Sequence, residues 1–166
     1  MPGFRFDPSA SIQGEFKIGW TSLTAPDQPQ NDYRGTTGEG DLAMRLGRRA
    51  RLRTTFARNL DFSIAVNNLY YLATSWTASF EQFFSRRVSG EITYGRGLNH
   101  YPQPLPIGPS LRIRDDRLKT YQATLRYRVN PQMAITATAS RTSRDSTDDS
   151  LDRTRNLYTL ASTYNF

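Results

Sequence analysis

The last eight residues of the chain, Thr159-Leu160-Ala161-Ser162-Thr163-Tyr164-Asn165-Phe166, form the stretch that decides the fold. Leu160, Tyr164 and Phe166 lie an even number of residues apart, so one extended strand presents all three on the same face. A strand with one apolar and one polar face belongs to a larger sheet, and the same alternation recurs upstream. The ending therefore predicts an all-β chain.

Period-two alternation runs through eight segments of the chain. In the first, Ile12, Phe16, Ile18 and Trp20 share an apolar face, and Glu15 lies on the opposite, polar face. The apolar faces of the next six segments begin at Leu42, Leu52, Leu72, Val88, Tyr121 and Met133, and the eighth is the terminal strand. Each segment has about 9–14 residues, close to the length that crosses a bilayer and longer than most soluble strands.

Short and long connections alternate between these segments. Short turns are predicted at 47–50, 85–87 and 130–132, and longer loops at 23–32, 65–70, 100–117 and 143–153. Outer-membrane barrels have short periplasmic turns and longer extracellular loops. The sequence therefore predicts an antiparallel, up-and-down transmembrane β-barrel of about eight strands. Residues 1–166 form its single domain, either a whole barrel or the C-terminal part of a longer one.

The composition is compatible with a sheet in which only alternate residues face lipid. Hydrophobic residues make up 37% of the chain, and the mean hydropathy is −0.64. No apolar run approaches the ~20 residues of a membrane helix. The first residues lack the apolar core of a signal peptide, so we expect a mature form or part of a longer chain. Cysteine is absent, which excludes disulfides, thiol catalysis and Cys-based metal sites.

The closing segment resembles the C-terminal signal that the bacterial barrel-assembly machinery recognises. Tyr164 and Phe166 fill its paired hydrophobic positions, and Leu160 precedes them on the same face. We therefore expect Leu160, Tyr164 and Phe166 to act as an assembly signal.

The formal net charge of +7 comes almost entirely from arginine. A basic chain suggests nucleic-acid binding. Here the charges alternate with apolar residues and do not cluster on one helix or loop, so no nucleic-acid partner is expected. The arginines are better interpreted as lining a barrel lumen, its rims and the phosphates of lipopolysaccharide.

The charged residues of the polar faces are the main candidate site. In an eight-stranded barrel they would pair with one another and plug the lumen. In a wider barrel they would line an aqueous path whose arginines favour anionic sugars or phosphates. The set comprises Glu15, Lys17, Glu39, Asp41, Arg45, Arg51, Arg53, Asp61, Glu91, Arg126 and Arg128.

A soluble, lipocalin-like barrel would show the same alternation with its apolar face inside, around an apolar ligand. The terminal signal, aromatic residues near strand ends and the mixed-charge polar face favour the membrane polarity instead. Arg58 and Arg96 fall on the apolar face, where a cation at mid-membrane costs about 2–4 kcal/mol. They are expected to extend to the outer rim or lie above the membrane, unless a β-bulge shifts the local phase of the strand.

No catalytic residue, metal site or cofactor is expected. His100 is the only histidine and lies beside Ser110, Asp115 and Asp116 in a Pro-rich segment, where a solvated loop histidine is the simpler interpretation. Four aspartates could bind a hard cation but lack the spacing of a known calcium loop. They are Asp145, Asp148, Asp149 and Asp152.

Short motifs recur along the chain. The first is Phe4-Arg5-Phe6-Asp7-Pro8-Ser9-Ala10, followed by Gly14 and Gly19-Trp20. Later motifs are Gly40-Asp41-Leu42, Arg51-Leu52-Arg53, Tyr70-Tyr71 and Tyr164-Asn165-Phe166. Together they resemble the outer-membrane β-barrel porin family found in exopolysaccharide operons. The resemblance covers nearly the whole chain and corresponds to the C-terminal part of longer family members.

This resemblance implies an integral protein of the Gram-negative outer membrane. The implied function is porin-like, linked to exopolysaccharide export or the cell envelope, with no catalytic residues to transfer. The expected partners are outer-membrane lipid, lipopolysaccharide, the barrel-assembly machinery and an anionic polysaccharide. A structural barrel with a plugged lumen and binding loops is the alternative.

Overall fold

A computed structural model of the chain describes residues 3–5, 11–26, 28–65, 67–107 and 110–165. It contains nine β-strands: β1 Gly3–Arg5, β2 Ile12–Leu23, β3 Tyr33–Leu46, β4 Ala50–Phe62, β5 Tyr70–Phe83, β6 Val88–Ile107, β7 Ser110–Arg128, β8 Met133–Ser146 and β9 Arg153–Tyr164. Two short 3-10 turns span Pro29–Asn31 and Asp149–Leu151. In the described part of the chain, no helix is long and apolar enough to cross a bilayer. Phe166 and residues 6–10 of the opening motif lie outside the described residues.

The strands form one sheet in the order β1 to β9, and every neighbouring pair is antiparallel. The up-and-down topology and the eight long strands, β2 to β9, confirm the sequence prediction. The three-residue strand β1, which pairs with β2 through Gly3 and Lys17, was not predicted. Among the described strands, β1 and β9 each have a single neighbour, so the sheet is open.

Tight turns join the strands at one end of the sheet, which we call the short-turn end. Gly47 has a φ of 68°, a conformation that residues with a side chain rarely adopt. The Ser85 hydroxyl accepts hydrogen bonds from the backbone N–H groups of Arg87 and Val88 at 3.1 Å. The Asn130 side chain accepts from Gln132 and Met133 in the same way, at 2.9 and 2.7 Å. The opposite end, with the longer connections, is the long-loop end.

The register places one apolar face across eight strands. Residues directly opposite each other in an antiparallel pair point to the same side of a sheet. One such row runs through Ile12, Met44, Leu52, Phe80, Ile92, Ala123, Ala139 and Tyr158. The row changes from even to odd numbers between β6 and β7, which confirms the predicted change of phase.

Large apolar side chains are exposed on the apolar face. Ile92 retains 63% and Leu160 retains 77% of its accessible surface, whereas Thr93 and Thr124 of the polar face are half-buried. Hydroxyl groups pair across the polar face, in Thr55–Thr77 at 2.5 Å, Ser79–Thr93 at 2.8 Å and Thr124–Thr138 at 3.3 Å. Large apolar side chains are thus exposed on one face of the open sheet, and paired hydroxyl groups lie on the other.

The prediction of a loop over 100–117 is wrong, because β6 and β7 continue as a paired hairpin well beyond the other strands. Proline lacks the N–H group that a central strand needs and is tolerated mainly at edges and bulges. Here the register shifts between Tyr101 and Leu105, so Pro102 and Pro104 fall within a bulge. The three prolines up to Pro106 therefore bend the strand without ending it.

Candidate functional site

The polar face of the sheet carries the candidate site predicted from the sequence. By register, all eleven predicted residues lie on this face: Glu15, Lys17, Glu39, Asp41, Arg45, Arg51, Arg53, Asp61, Glu91, Arg126 and Arg128. The alternation of the strands brings them together, since each strand contributes every second residue to this side.

Exposed ion pairs connect the charges of β2, β3 and β4. The Lys17 ammonium lies 3.2 Å from the Glu15 carboxylate and 2.9 Å from that of Glu39. The Arg53 Nε donates to the Asp41 carboxylate at 2.7 Å. Because these groups are solvated, each pair contributes at most about 1 kcal/mol of stability. They are better suited to shaping the potential of the surface than to holding the sheet together.

Arg51 of β4 extends this network toward β5. Its guanidinium lies 3.8 Å from the Glu81 carboxylate and 5.1 Å from the centre of the Phe83 ring. Directly opposite, Arg45 brings a second positive charge to the same row. Glu81 was absent from the predicted set, although it stands on the polar face of its segment and the same alternation would have included it.

Arginines without acidic partners occupy the short-turn end of the polar face. Arg126 and Arg128 are exposed, and within the described residues no carboxylate lies within 4 Å of either guanidinium. Arg86 and Arg87 lie in the turn beside them and border the same small depression. This end of the face is therefore strongly positive.

Bases outnumber acids over the whole polar face. Among the residues whose side chains the structure describes, its eleven basic residues are Lys17, Arg45, Arg51, Arg53, Arg112, Arg114, Arg126, Arg128, Arg144, Arg153 and Arg155. Its seven acidic residues are Glu15, Glu39, Asp41, Asp61, Glu81, Glu91 and Asp116. A surface of this kind attracts anions and repels cations.

A buried ionic cluster lies on the polar face near the long-loop end. The Asp116 carboxylate is fully buried and accepts two hydrogen bonds from Arg114, at 3.0 and 2.8 Å. It also accepts from the Arg144 guanidinium and, at 2.5 Å, from the Ser146 hydroxyl. The Tyr101 ring covers the Arg114 guanidinium at 4.3 Å. We call these five residues the capping cluster.

Protonation of Asp116 is opposed by its donors. Asp116 lies opposite Asn99 of β6. Because β6 begins at Val88 and Asn99 is eleven residues further on, Asp116 lies beyond the ~9–11 residues that would cross a bilayer. Burial alone would raise its pKa, but hydrogen bonds from Arg114, Ser146 and Arg144 outweigh burial and hold the pKa below 3.8. The bond to Asp116 in turn raises the pKa of Arg114. The cluster therefore remains ionised at neutral pH.

The capping cluster was missed from the sequence because it depends on three strands. Asp116 was placed in a loop, whereas β7 and β8 pair it with Ser146, thirty residues away in sequence. Sequence periodicity shows which face a residue occupies but not which residue of the next strand lies opposite. Only the correct continuation of β6 and β7 reveals the cluster.

Polar side chains also join three connections at the long-loop end. Asn68, which is buried, donates to the Gln103 carbonyl at 3.1 Å and accepts from its N–H at 2.9 Å. The Gln103 side chain donates to the carbonyl of Gln30, and buried Asn31 accepts from the N–H of Leu69 at 3.4 Å. The hairpin of β6 and β7 is thus fastened to the two preceding loops.

The residues weighed for catalysis do not converge. His100 Nδ1 lies 2.7 Å from the Asp115 carboxylate, and by register this pair belongs to the apolar side, opposite to Asp116. In the acidic loop, Asp148 accepts from the N–H of Ser150 at 3.1 Å and Asp152 accepts from that of Ser146 at 2.7 Å. These two carboxylates therefore stabilise the conformation of their own loop.

Consecutive antiparallel strands, an exposed apolar face and a charged polar face together define a β-barrel porin. A family model described as "Putative beta-barrel porin 2" matches residues 1–166, and the chain belongs to that family. The match confirms the resemblance to a β-barrel porin family and favours a function without catalysis. No curated protein and no solved structure gives a match.

Proposed function

We propose that this protein is an outer-membrane β-barrel whose polar face lines an aqueous path for anionic solutes. The observation that carries the proposal is the polarity of the sheet. Exposed Trp20, Ile92 and Leu160 belong to one face, and the charged residues belong to the other. Porin-type barrels have this arrangement, with lipid outside and water inside.

The same polarity counts against a soluble, lipocalin-like barrel. Such a barrel would enclose its apolar side chains around a ligand. Soluble monomers rarely expose contiguous apolar patches larger than a few hundred Å². The apolar rows here run across eight strands, which suits contact with lipid acyl chains.

The excess of arginine on the polar face supports anion selectivity. Guanidinium groups bind carboxylates and phosphates through paired hydrogen bonds. Arg126 and Arg128 stand free of acidic partners among the described residues, next to Arg86 and Arg87. We infer that they attract anions at the short-turn end, which would face the periplasm.

Export or retention of an anionic exopolysaccharide is the specific function that we propose. A linear polymer bearing carboxylates would interact with successive arginines along the face. Assembly by the barrel-assembly machinery, through Leu160, Tyr164 and Phe166, is part of the same proposal. So is the organisation of residues 1–166 as one barrel domain, complete or part of a longer barrel.

The first experiment refolds the chain into lipid vesicles and compares boiled and unboiled samples on an SDS gel. A faster unboiled band would show a closed, membrane-inserted barrel. Planar-bilayer recordings in a salt gradient would then give the ion selectivity. We expect anion-selective conductance that a carboxylated oligosaccharide blocks more strongly than a neutral one of equal length. A monomer that folds in plain buffer and ignores vesicles would contradict the proposal.

A structural barrel with a plugged lumen is the second candidate. It is favoured by the ion pairs Lys17–Glu39 and Arg53–Asp41 and by the hydroxyl pairs between neighbouring strands. Such contacts would fill the interior if eight strands closed on themselves. Vesicle insertion with a heat-dependent gel shift but without conductance would support this candidate over the first.

A further inference from the structure

Five basic residues of β4, β6, β7 and β8 interrupt the apolar face toward the long-loop end. By register, Arg58, Arg96, Arg117, Lys119 and Arg141 all lie on that face, although lipid tails exclude cations. Arg96 and Lys119 oppose each other on β6 and β7, and the other three stand one row away. We call this group the basic belt.

The basic belt shares its rows with aromatic side chains: Trp76 lies opposite Arg96, and Tyr94 and Tyr121 lie in the row of Arg141. The Trp76 and Tyr94 rings meet edge to face at 5.4 Å, and Tyr94 lies 5.0 Å from Tyr121. Aromatic rings of this kind mark the boundary between acyl chains and head groups. β6 begins at Val88, and Arg96 lies eight residues further along it. Arg96 is therefore near the end of the ~9–11 residues that cross a bilayer. The belt therefore falls at head-group depth.

The charge of the basic belt is available to a ligand. Arg96, Arg117 and Arg141 are exposed, and among the described residues none of the five has a carboxylate within 4 Å. The Arg58 guanidinium donates to the Thr74 hydroxyl at 3.3 Å, which leaves its charge uncompensated.

A groove of about 450 Å³ lies within this surface. Its lining includes Trp76, Arg96, Arg117, Lys119 and one acid, Asp145. Asp145 opposes Arg117 in the register, so three cations and one carboxylate share the groove. The groove thus combines an aromatic wall with a net positive charge, which matches a phosphate group on an apolar anchor.

We propose that the basic belt binds the phosphates of lipid A, the phosphorylated glycolipid anchor of lipopolysaccharide in the outer leaflet. Its acyl chains would lie along the exposed apolar rows below, and its phosphates would meet Arg96, Lys119 and Arg141. This inference rests on the proposed outer-membrane location, with the long loops outside. It explains why cations interrupt a face that otherwise contacts lipid.

The test measures lipid A binding to the full chain refolded in detergent micelles, by native mass spectrometry. Each basic residue near an anionic surface adds roughly a fivefold factor, so R96Q/K119Q/R141Q should weaken binding by about 100-fold. The matched control, R48Q/R49Q/R112Q, removes three exposed positive charges that belong neither to the basic belt nor to the predicted polar-face set. It should bind within about twofold of the unmodified chain, since general charge attraction is weak beyond a Debye length.

Two further probes identify the source of the phosphate. Dephosphorylated lipid A of the same acyl composition should bind as weakly as the triple variant, and inorganic phosphate should not compete at millimolar concentration. Equal binding of both lipids, equal loss in both variants, or efficient competition by phosphate would overturn the proposal. The gel shift on boiling is recorded for every variant. Its absence from the unmodified chain would refute the membrane location itself, whereas its presence without selective binding would refute only the lipid A site.

Discussion

Substitution of Asp116 by asparagine tests whether the capping cluster stabilises the long-loop end. The substitution keeps the shape of the side chain but removes the charge that neutralises Arg114 and Arg144. Removing one partner of a buried ion pair costs about 3–5 kcal/mol. The Arg114 and Arg144 side chains retain 13% and 17% exposure, so they are not fully desolvated and we expect the lower end, about 3 kcal/mol.

Asp115 provides a matched control on the opposite side of the same strand. It is 39% exposed and pairs with His100 at 2.7 Å, so Asp115→Asn should cost no more than about 1 kcal/mol. Both variants would be unfolded with urea in lipid vesicles and followed by tryptophan fluorescence. Equal losses in the two variants would refute the assignment of stability to the capping cluster.

The pH dependence gives an independent check with a defined sign. The folded pKa of Asp116 lies below its ordinary value of 3.8, so its stabilising charge is fully present above that value. The charge is lost as the pH falls through the folded pKa. The difference between the unmodified chain and Asp116→Asn should therefore be constant from pH 5 to 8 and shrink below about pH 3.8. A difference that is unchanged at pH 2 would contradict the argument.

Three further predictions concern the loops, the polarity and the assembly signal. Asn68→Ala leaves the backbone N–H and carbonyl groups of Gln103 without their buried partner and should reduce the free energy of unfolding by about 1–3 kcal/mol. Limited proteolysis should cleave the β6–β7 hairpin faster in this variant than in Asn68→Gln. Ala137→Arg places a cation on the lipid-facing side and should destabilise the inserted barrel by about 2–4 kcal/mol, whereas Thr136→Arg on the polar side should cost clearly less in the same urea titration. The opposite order would reverse the assigned faces. Deletion of Phe166 should reduce the amount of protein inserted in the outer membrane of cells, measured by fractionation. Phe166→Tyr, which keeps an aromatic residue at this position, should insert as the unmodified chain does.

Much of the sheet could be predicted because its signal is local. Each strand repeats every two residues, so the assignment of Glu15, Arg53 and Arg126 to one face needs only the alternation. The change of phase between β6 and β7 is visible in the same way. The short turns follow from residues such as Gly47 and Asn130, whose local geometry ends a strand.

The rest could not be predicted because it depends on pairing between distant residues. Prolines at 102, 104 and 106 indicate a loop in isolation, yet the bulge beyond Tyr101 accommodates them within a hairpin. Asp116 gains its significance only when Arg144 and Ser146 lie opposite it. Likewise, Arg58 and Arg96 conflict with a purely apolar face until the neighbouring strands gather them with Lys119 into one group.

Within the described residues, every strand pairs only with its neighbours in the sequence, and this makes the architecture modular. Insertion or loss of one complete hairpin would leave the register of all other pairs unchanged. The circumference of a barrel grows with its number of strands, so duplication of hairpins offers a simple evolutionary route to wider or narrower pores. The capping cluster, by contrast, spans β6, β7 and β8, and would have to be inherited as one unit.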